Sequence, residues 1–276
     1  MIRSLRSLAA AILLAVAAGA APSHGEPGRY ELANGTYRVV TPPAWDGKAK
    51  LPMLLYMHGY NQTSADVVGD ADLVGAATGS GALLVVPDGL GRTWSHVGSP
   101  SHARDDLAFL HAVVDDAKKR FPVDGARVLA AGFSQGGSMV WDLACHAGRG
   151  FAAFLPVSGD FWLPYPQGCE SGPVNLRHIH GMNDQTVPMG GRPIRGGLYT
   201  QGDIGKSLAI MQQTDRCASE ADRIERQGEL KCWIWSSCLS GKRLELCLHG
   251  DGHEIKGQWL SEGMAWALKL PEASGG

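Results

Sequence analysis

The pentapeptide Gly132-Phe133-Ser134-Gln135-Gly136 has the form G-x-S-x-G. A serine hydroxyl is a weak nucleophile until a base takes its proton and an acid orients that base. In a chain with 37 glycines the pentapeptide arises readily by chance, so its surroundings carry the argument. An apolar strand over 128–131 leads in, and a helix from about 135 to 147 leads out. That is the strand–turn–helix context of a nucleophile elbow. The glycines let the chain turn sharply where two backbones pass closely. The helix start offers N–H donors and a positive dipole end to a developing anion. The competing reading is a glycine-rich turn with an idle serine.

In such a fold the partners follow the nucleophile in the order acid, then histidine. Only His249 and His253 lie beyond the last core strands. His253 sits in the loose loop Gly250-Asp251-Gly252-His253, where a base can project, and is the expected base. His249, nearer the strand, is expected to be structural. For the acid, Asp184 follows a strand end in His180-Gly181-Met182-Asn183-Asp184, at the sheet edge where sites of open α/β folds gather. Asp160, after the preceding strand, competes. Asp251 is too close in sequence to His253 to orient it from across a site. The loop His58-Gly59-Tyr60-Asn61-Gln62 follows the strand over 51–57. The expected oxyanion donors are the backbone N–H groups of Gln135 and Tyr60. His58 precedes the nucleophile and reads as a loop-packing residue.

Other residues carry weaker signals. Trp94 and Trp162 follow strands on the site's side, where they would either stack on an aromatic acyl group or sugar or close the core edge. Trp141, Trp233 and Trp235 read as packing residues. His178 and His180 share a strand face and could pair on a metal, but no third ligand is evident, so packing is expected. Arg192 and Arg195 flank glycine-rich sequence; a substrate carboxylate is one use for them, and a solvated loop is the expectation.

The elements that position these residues follow from apolar runs. Asn34-Gly35, between short alternating segments, predicts a hairpin turn. Continuous apolar runs over 51–57, 83–86 and 153–157 predict strands buried on both faces, with another over 174–180. Helices are expected over 64–77 with Ser64 as cap, over 105–120 capped by Asp105 or Asp106, over 204–214 and over 258–268. A second hairpin is expected from 231–235 and 243–248 around Ser240-Gly241. Alternation of this kind means an α/β class with a mostly parallel central sheet flanked by helices, in a single domain.

The chain has 276 residues, 44% of them hydrophobic and 19% charged, with a formal charge of −2. That balance argues against nucleic-acid binding, which shows as a basic excess. Residues 1–25 read as a secretory signal peptide with a short lead: Arg3 and Arg6, an apolar run over 8–18, then Ala18-Gly19-Ala20. The run is short of the roughly 20 residues a membrane span needs; an uncleaved anchor is the alternative. Removing residues 1–20 takes away two arginines and no acid, so −2 becomes −4. Residues 26–276 remain as the catalytic domain of a secreted or periplasmic protein. Six cysteines in an exported chain read as three disulfides. None forms C-x-x-C, so redox chemistry and a zinc site are poorly supported.

The whole mature chain resembles the α/β-hydrolase esterases of the polyhydroxybutyrate depolymerase-like group, related to feruloyl and acetyl xylan esterases. The matching segments are Met57-His58-Gly59, Pro87-Asp88-Gly89, Trp94, Asp105-Asp106, Gly132-Phe133-Ser134-Gln135-Gly136-Gly137, His178-Ile179-His180-Gly181, Asp184 with Val187-Pro188, and Gly250-Asp251-Gly252-His253. The resemblance implies an α/β-hydrolase fold and a triad of Ser134, Asp184 and His253. It implies hydrolysis of carboxylic esters such as hydroxyalkanoate oligomers or feruloyl and acetyl esters, with no cofactor and no metal. It also implies a Cys145–Cys169 bridge, with the four later cysteines bonded among themselves. Of those four, Cys232 and Cys247 are near-symmetric about the turn at Leu239–Ser240, so they are expected to pair across the hairpin, leaving Cys217 with Cys238. A one-residue register slip would reverse that choice.

The chain departs from the family in two ways. It lacks the linker and polymer-binding domain of enzymes that attack solid polyhydroxybutyrate, which favours soluble oligomers or small esters. Its loop after His58 lacks the extra glycines of many relatives. Rival readings keep the fold but make it a peptidase, an acyltransferase or a non-catalytic binding protein, or use the histidine pair in a metal hydrolase.

Overall fold

The structure is a computed structural model that describes residues 27–43 and 45–271; the expected signal peptide lies outside them. The described residues begin with the hairpin β1 (Gly28–Leu32) and β2 (Gly35–Val40). Leu32 pairs with Gly35, so the turn is Ala33-Asn34, one residue earlier than the Asn-Gly signal places it. Packing decides this. Gly35 sits where a Cβ would come within 3.0 Å of the Phe109 ring and 2.5 Å of the Arg104 guanidinium.

β3 (Leu51–Met57) follows, then α1 (Ser64–Gly69) and α2 (Ala71–Gly79) in place of the one helix expected over 64–77. Asp70 ends α1 and caps α2, its carboxylate accepting the N–H groups of Asp72 and Leu73. The cap of α1 is Thr63, in a reciprocal box with Asp66. Ser64 instead donates its N–H and hydroxyl to Asp88.

Next come β4 (Leu83–Pro87) and α3 (Asp106–Arg120), capped by Asp105 and ending in three cations that suit the helix dipole. β5 (Val123–Phe133) runs into α4 (Gln135–His146), followed by β6 (Ala153–Val157) and β7 (Leu176–Gly181). A small hairpin, β8 (Arg192–Ile194) and β9 (Tyr199–Gln201), was not expected, because three-residue strands leave no readable period. The chain closes with α5 (Ile204–Asp215), β10 (Arg223–Gln227), β11 (Leu230–Trp235), β12 (Leu244–His249) and α6 (Gly257–Ala267). β10 is a further unexpected strand. Its exposed charged residues carry no apolar signal.

One sheet runs β1-β2-β4-β3-β5-β6-β7-β12-β11-β10. Its centre, from β4 to β12, is parallel, and its two flanks are antiparallel. Side chains alternate across it as strand geometry requires. Met53, Leu55 and Met57 join α3, α4 and α5 in one core; Leu54 and Tyr56 join α1, α2 and α6 in the other. The parallel strands therefore present their carboxyl ends at a single edge.

Three disulfides tie the periphery: Cys145–Cys169, Cys217–Cys238 and Cys232–Cys247. Cys232 and Cys247 stand directly opposite in the β11–β12 register. Three bridges and no free cysteine fit an oxidising compartment. Among the described residues no helix is long and apolar enough to cross a membrane.

Candidate active site

Ser134 lies between the end of β5 and the start of α4, with φ 58° and ψ −121°. A non-glycine residue in that region costs on the order of 1–3 kcal/mol and persists only where the surroundings hold it. Here its N–H donates to Val157 O at 2.9 Å, and its carbonyl accepts the Ser138 N–H at 3.0 Å. The motif glycines are steric necessities. A Cβ on Gly136 would lie 2.1 Å from Met57 O, and one on Gly132 would lie 2.5 Å from Gly136 O.

His253 Nε2 is 2.9 Å from Ser134 Oγ, and His253 Nδ1 is 2.7 Å from Asp184 Oδ2. The other Asp184 oxygen accepts the N–H groups of Thr186 and Val187, each at 2.8 Å. Burial pushes the Asp184 carboxyl up, but the bond from His253 and the backbone N–H donors outweigh it and hold the group below its ordinary value. The structure thus brings together three residues that are 50 and 69 positions apart along the chain. Asp160 is not one of them. Its carboxyl is fully buried, with neither oxygen hydrogen-bonded among the described residues. Burial above all, then the nearby Asp203 and Asp184, pushes its pKa well above the ordinary carboxylate value. His249 is buried with its ring 4.1 Å from that of Trp259, a packing position.

The loop after β3 lies against the serine. A Cβ on Gly59 would be 3.5 Å from Ser134 Cβ. Gln62 Oε1 accepts the Gly59 N–H at 2.8 Å. His58 pins this loop to the one after β4: Nε2 accepts the Gly89 N–H at 2.9 Å, so Nδ1 carries the proton and donates to Gly59 O at 2.8 Å. The N–H of Gln135, in the first turn of α4, has no intrahelical acceptor. Tyr60 is 62% exposed beside it.

A cavity of about 580 Å³ opens over Ser134, Gln135 and Tyr60 and is walled by Trp162, Val187 and Arg192 among others. Trp94, by contrast, does not face it. Its ring is fully buried and its Nε1 donates to His58 O at 2.8 Å, so Trp94 braces the loop and cannot stack on a substrate. Arg192 and Arg195 are exposed, as a solvated loop predicts, and both also line the cavity. What brings them there is the β8–β9 hairpin, whose Gln201 bridges to Trp162 and folds the segment onto the site.

The His178–His180 pair does not converge on an open position. The rings hydrogen-bond to each other at 3.0 Å, and His180 Nε2 donates to Val187 O at 2.8 Å. Among the described residues His249, Asp251 and Glu254 come close enough to share a cation. The Lys256 ammonium already stands there, 3.3 Å from Asp251 and 3.4 Å from Glu254.

Known proteins with similar sequence or fold include esterases. The chain is 28% identical over 172 residues to a probable feruloyl esterase C of Aspergillus niger, a match covering 59% of this chain and 60% of that one. It is 31% identical over 134 residues to feruloyl esterase C of Emericella nidulans, covering 48% and 46%. The matched stretch therefore spans about half of these relatives. An acetyl xylan esterase from Aspergillus awamori superposes with a TM-score of 0.64 at 14% identity, over 88% of this chain and 99% of the other. The expected likeness to feruloyl and acetyl xylan esterases is borne out, and the fold is that of the α/β-hydrolases. No family model matches the chain.

Proposed function

We propose that this chain is a serine carboxylic ester hydrolase. The observation that carries the reading is the continuous hydrogen-bond chain from Ser134 Oγ through the His253 ring to Asp184, with Ser134 lining a cavity. Ser134 Oγ attacks the ester carbonyl as His253 Nε2 takes its proton. Asp184 fixes the imidazole tautomer and stabilises the imidazolium. The carbonyl oxygen, now an anion, is received by the N–H groups of Gln135 and Tyr60. Collapse expels the alcohol, which leaves with the proton from His253. Water, deprotonated by the same nitrogen, then attacks the acyl-enzyme; the acid departs and Ser134 recovers its proton.

The feruloyl and acetyl xylan esterases among the similar proteins support small or oligomeric esters as substrates. Residues 1–25 act as an export signal in this reading, and 26–276 form the catalytic domain of a secreted or periplasmic enzyme, which the disulfides favour.

The test is hydrolysis of p-nitrophenyl butyrate together with labelling by a fluorophosphonate. Wild type should turn over the ester and label at Ser134. Ser134→Ala should lose label and about 10³-fold or more in kcat while keeping its circular dichroism. Unchanged turnover in that variant would refute the assignment.

A further inference from the structure

The cavity over Ser134 has a one-signed lining. Arg192 and Arg195 line it, and no Asp, Glu or Lys does. The chain as a whole is slightly acidic, so this is not the overflow of a basic surface. Arg192 Nε donates to Gln201 Oε1 at 3.1 Å, which orients the guanidinium and leaves both Nη groups over. Gln201 is itself 6% exposed and bridged to Trp162. Leu163 N–H donates to Thr200 O at 2.9 Å, and Gly202 N–H to Phe161 O at 3.0 Å. The hairpin carrying the arginines is therefore docked on the cavity wall. Arg195 has φ 48°, a left-handed backbone that a bulky residue adopts at a cost. Neither arginine has a carboxylate within ion-pair distance among the described residues.

Two guanidinium groups without counter-ions in an otherwise uncharged cavity suit a ligand that brings its own negative charge. We propose that Arg192 and Arg195 select esters carrying a free carboxylate away from the scissile bond, on the acyl or the alcohol portion. This rests on Ser134 being the esterase nucleophile. The planar guanidinium fork matches a carboxylate in two parallel hydrogen bonds, and charge-assisted bonds of this kind are about twice as strong as neutral ones. Both arginines are exposed, so solvent screening leaves roughly threefold in kcat/KM per arginine and about tenfold for the two together.

The experiment uses the full chain and two matched substrate pairs. Monoethyl succinate against ethyl butyrate puts the carboxylate on the acyl side. 4-Acetoxybutanoate against n-butyl acetate puts it on the alcohol side. In at least one pair the anionic ester should have the higher kcat/KM, mainly through KM, and added salt should erode the difference. In Arg192→Gln/Arg195→Gln the anionic-to-neutral ratio should fall about tenfold. Arg192→Lys/Arg195→Lys should keep part of it, which a misfolded variant would not. Preference for the neutral ester in both pairs, or a ratio that survives the glutamine substitutions, would overturn the inference and leave the esterase reading standing. Failure to hydrolyse all four esters while p-nitrophenyl butyrate is turned over would overturn this inference alone; failure on that ester as well would overturn both.

Discussion

His178 Nε2 and His180 Nδ1 stand 3.0 Å apart beneath the acid loop, with both rings fully buried. A carbonyl can only accept, so the His180 bond to Val187 O places its proton on Nε2 and leaves Nδ1 to accept from His178. Burial lowers the pKa of each, and for His178 the neighbouring imidazole adds to it. Val187 is the residue whose N–H holds Asp184 Oδ1. The pair therefore supports the carboxylate from below, through Val187 and with His180 Nε2 itself 3.6 Å from Asp184 Oδ2.

His180→Ala removes the donor to a buried carbonyl. Leaving that acceptor unpaired costs about 1–3 kcal/mol. Calorimetry should show a Tm lower by several degrees. The loosened acid loop should lower kcat about tenfold, with little change in KM.

Asp184→Asn keeps the shape but removes the charge that fixes the His253 tautomer. The expected loss in kcat is about 10³–10⁴-fold, with near-native Tm and KM. Steady-state kinetics on one ester and a melting curve check it. Asp160→Asn, at a carboxyl outside the Ser134–His253–Asp184 hydrogen-bond chain, should leave kcat within about threefold.

Burial pushes the Asp215 carboxyl up to about 7, even though it accepts the Val174 N–H at 3.2 Å. In the unfolded chain the group ionises near 4. Between about pH 4 and pH 7 the folded state holds a proton that the unfolded state has released, so stability falls as pH rises through that window. Asparagine keeps the acceptor and has no proton to lose. Asp215→Asn should therefore be about 1–3 kcal/mol more stable than wild type at pH 8, with the gain vanishing near pH 4. Urea unfolding at the two pH values measures it.

The Cys232–Cys247 bridge closes a loop with a sequence separation of 15 between fully buried residues. Loop-closure entropy assigns it about 3 kcal/mol. Cys232→Ala/Cys247→Ala should lower the urea midpoint accordingly. Loss of Cys217–Cys238, whose cysteines are only partly buried, should remove less packing as well as the cross-link.

The sequence by itself determined the strands at the centre of the sheet, most of the helices and the order of the chemistry. Apolar runs, alternation and the strand–turn–helix around Ser134 are local patterns, and the burial they encode is what builds the parallel centre of the sheet. The near-symmetry of Cys232 and Cys247 about one turn is local too, and the hairpin register places them opposite. Only the tertiary structure decided which residues share a cavity. Asp160 and Asp184 both follow strands of the same sheet, yet one is sealed among buried groups and the other receives two backbone donors and His253. Trp94 and Trp162 both follow strands, yet one braces a loop from within and the other walls the cavity. Arg192 and Arg195 stay exposed as their sequence suggests, yet two three-residue strands bring them to the wall of the Ser134 cavity. Residues distant along the chain meet through long-range packing, and that packing leaves no period in the sequence.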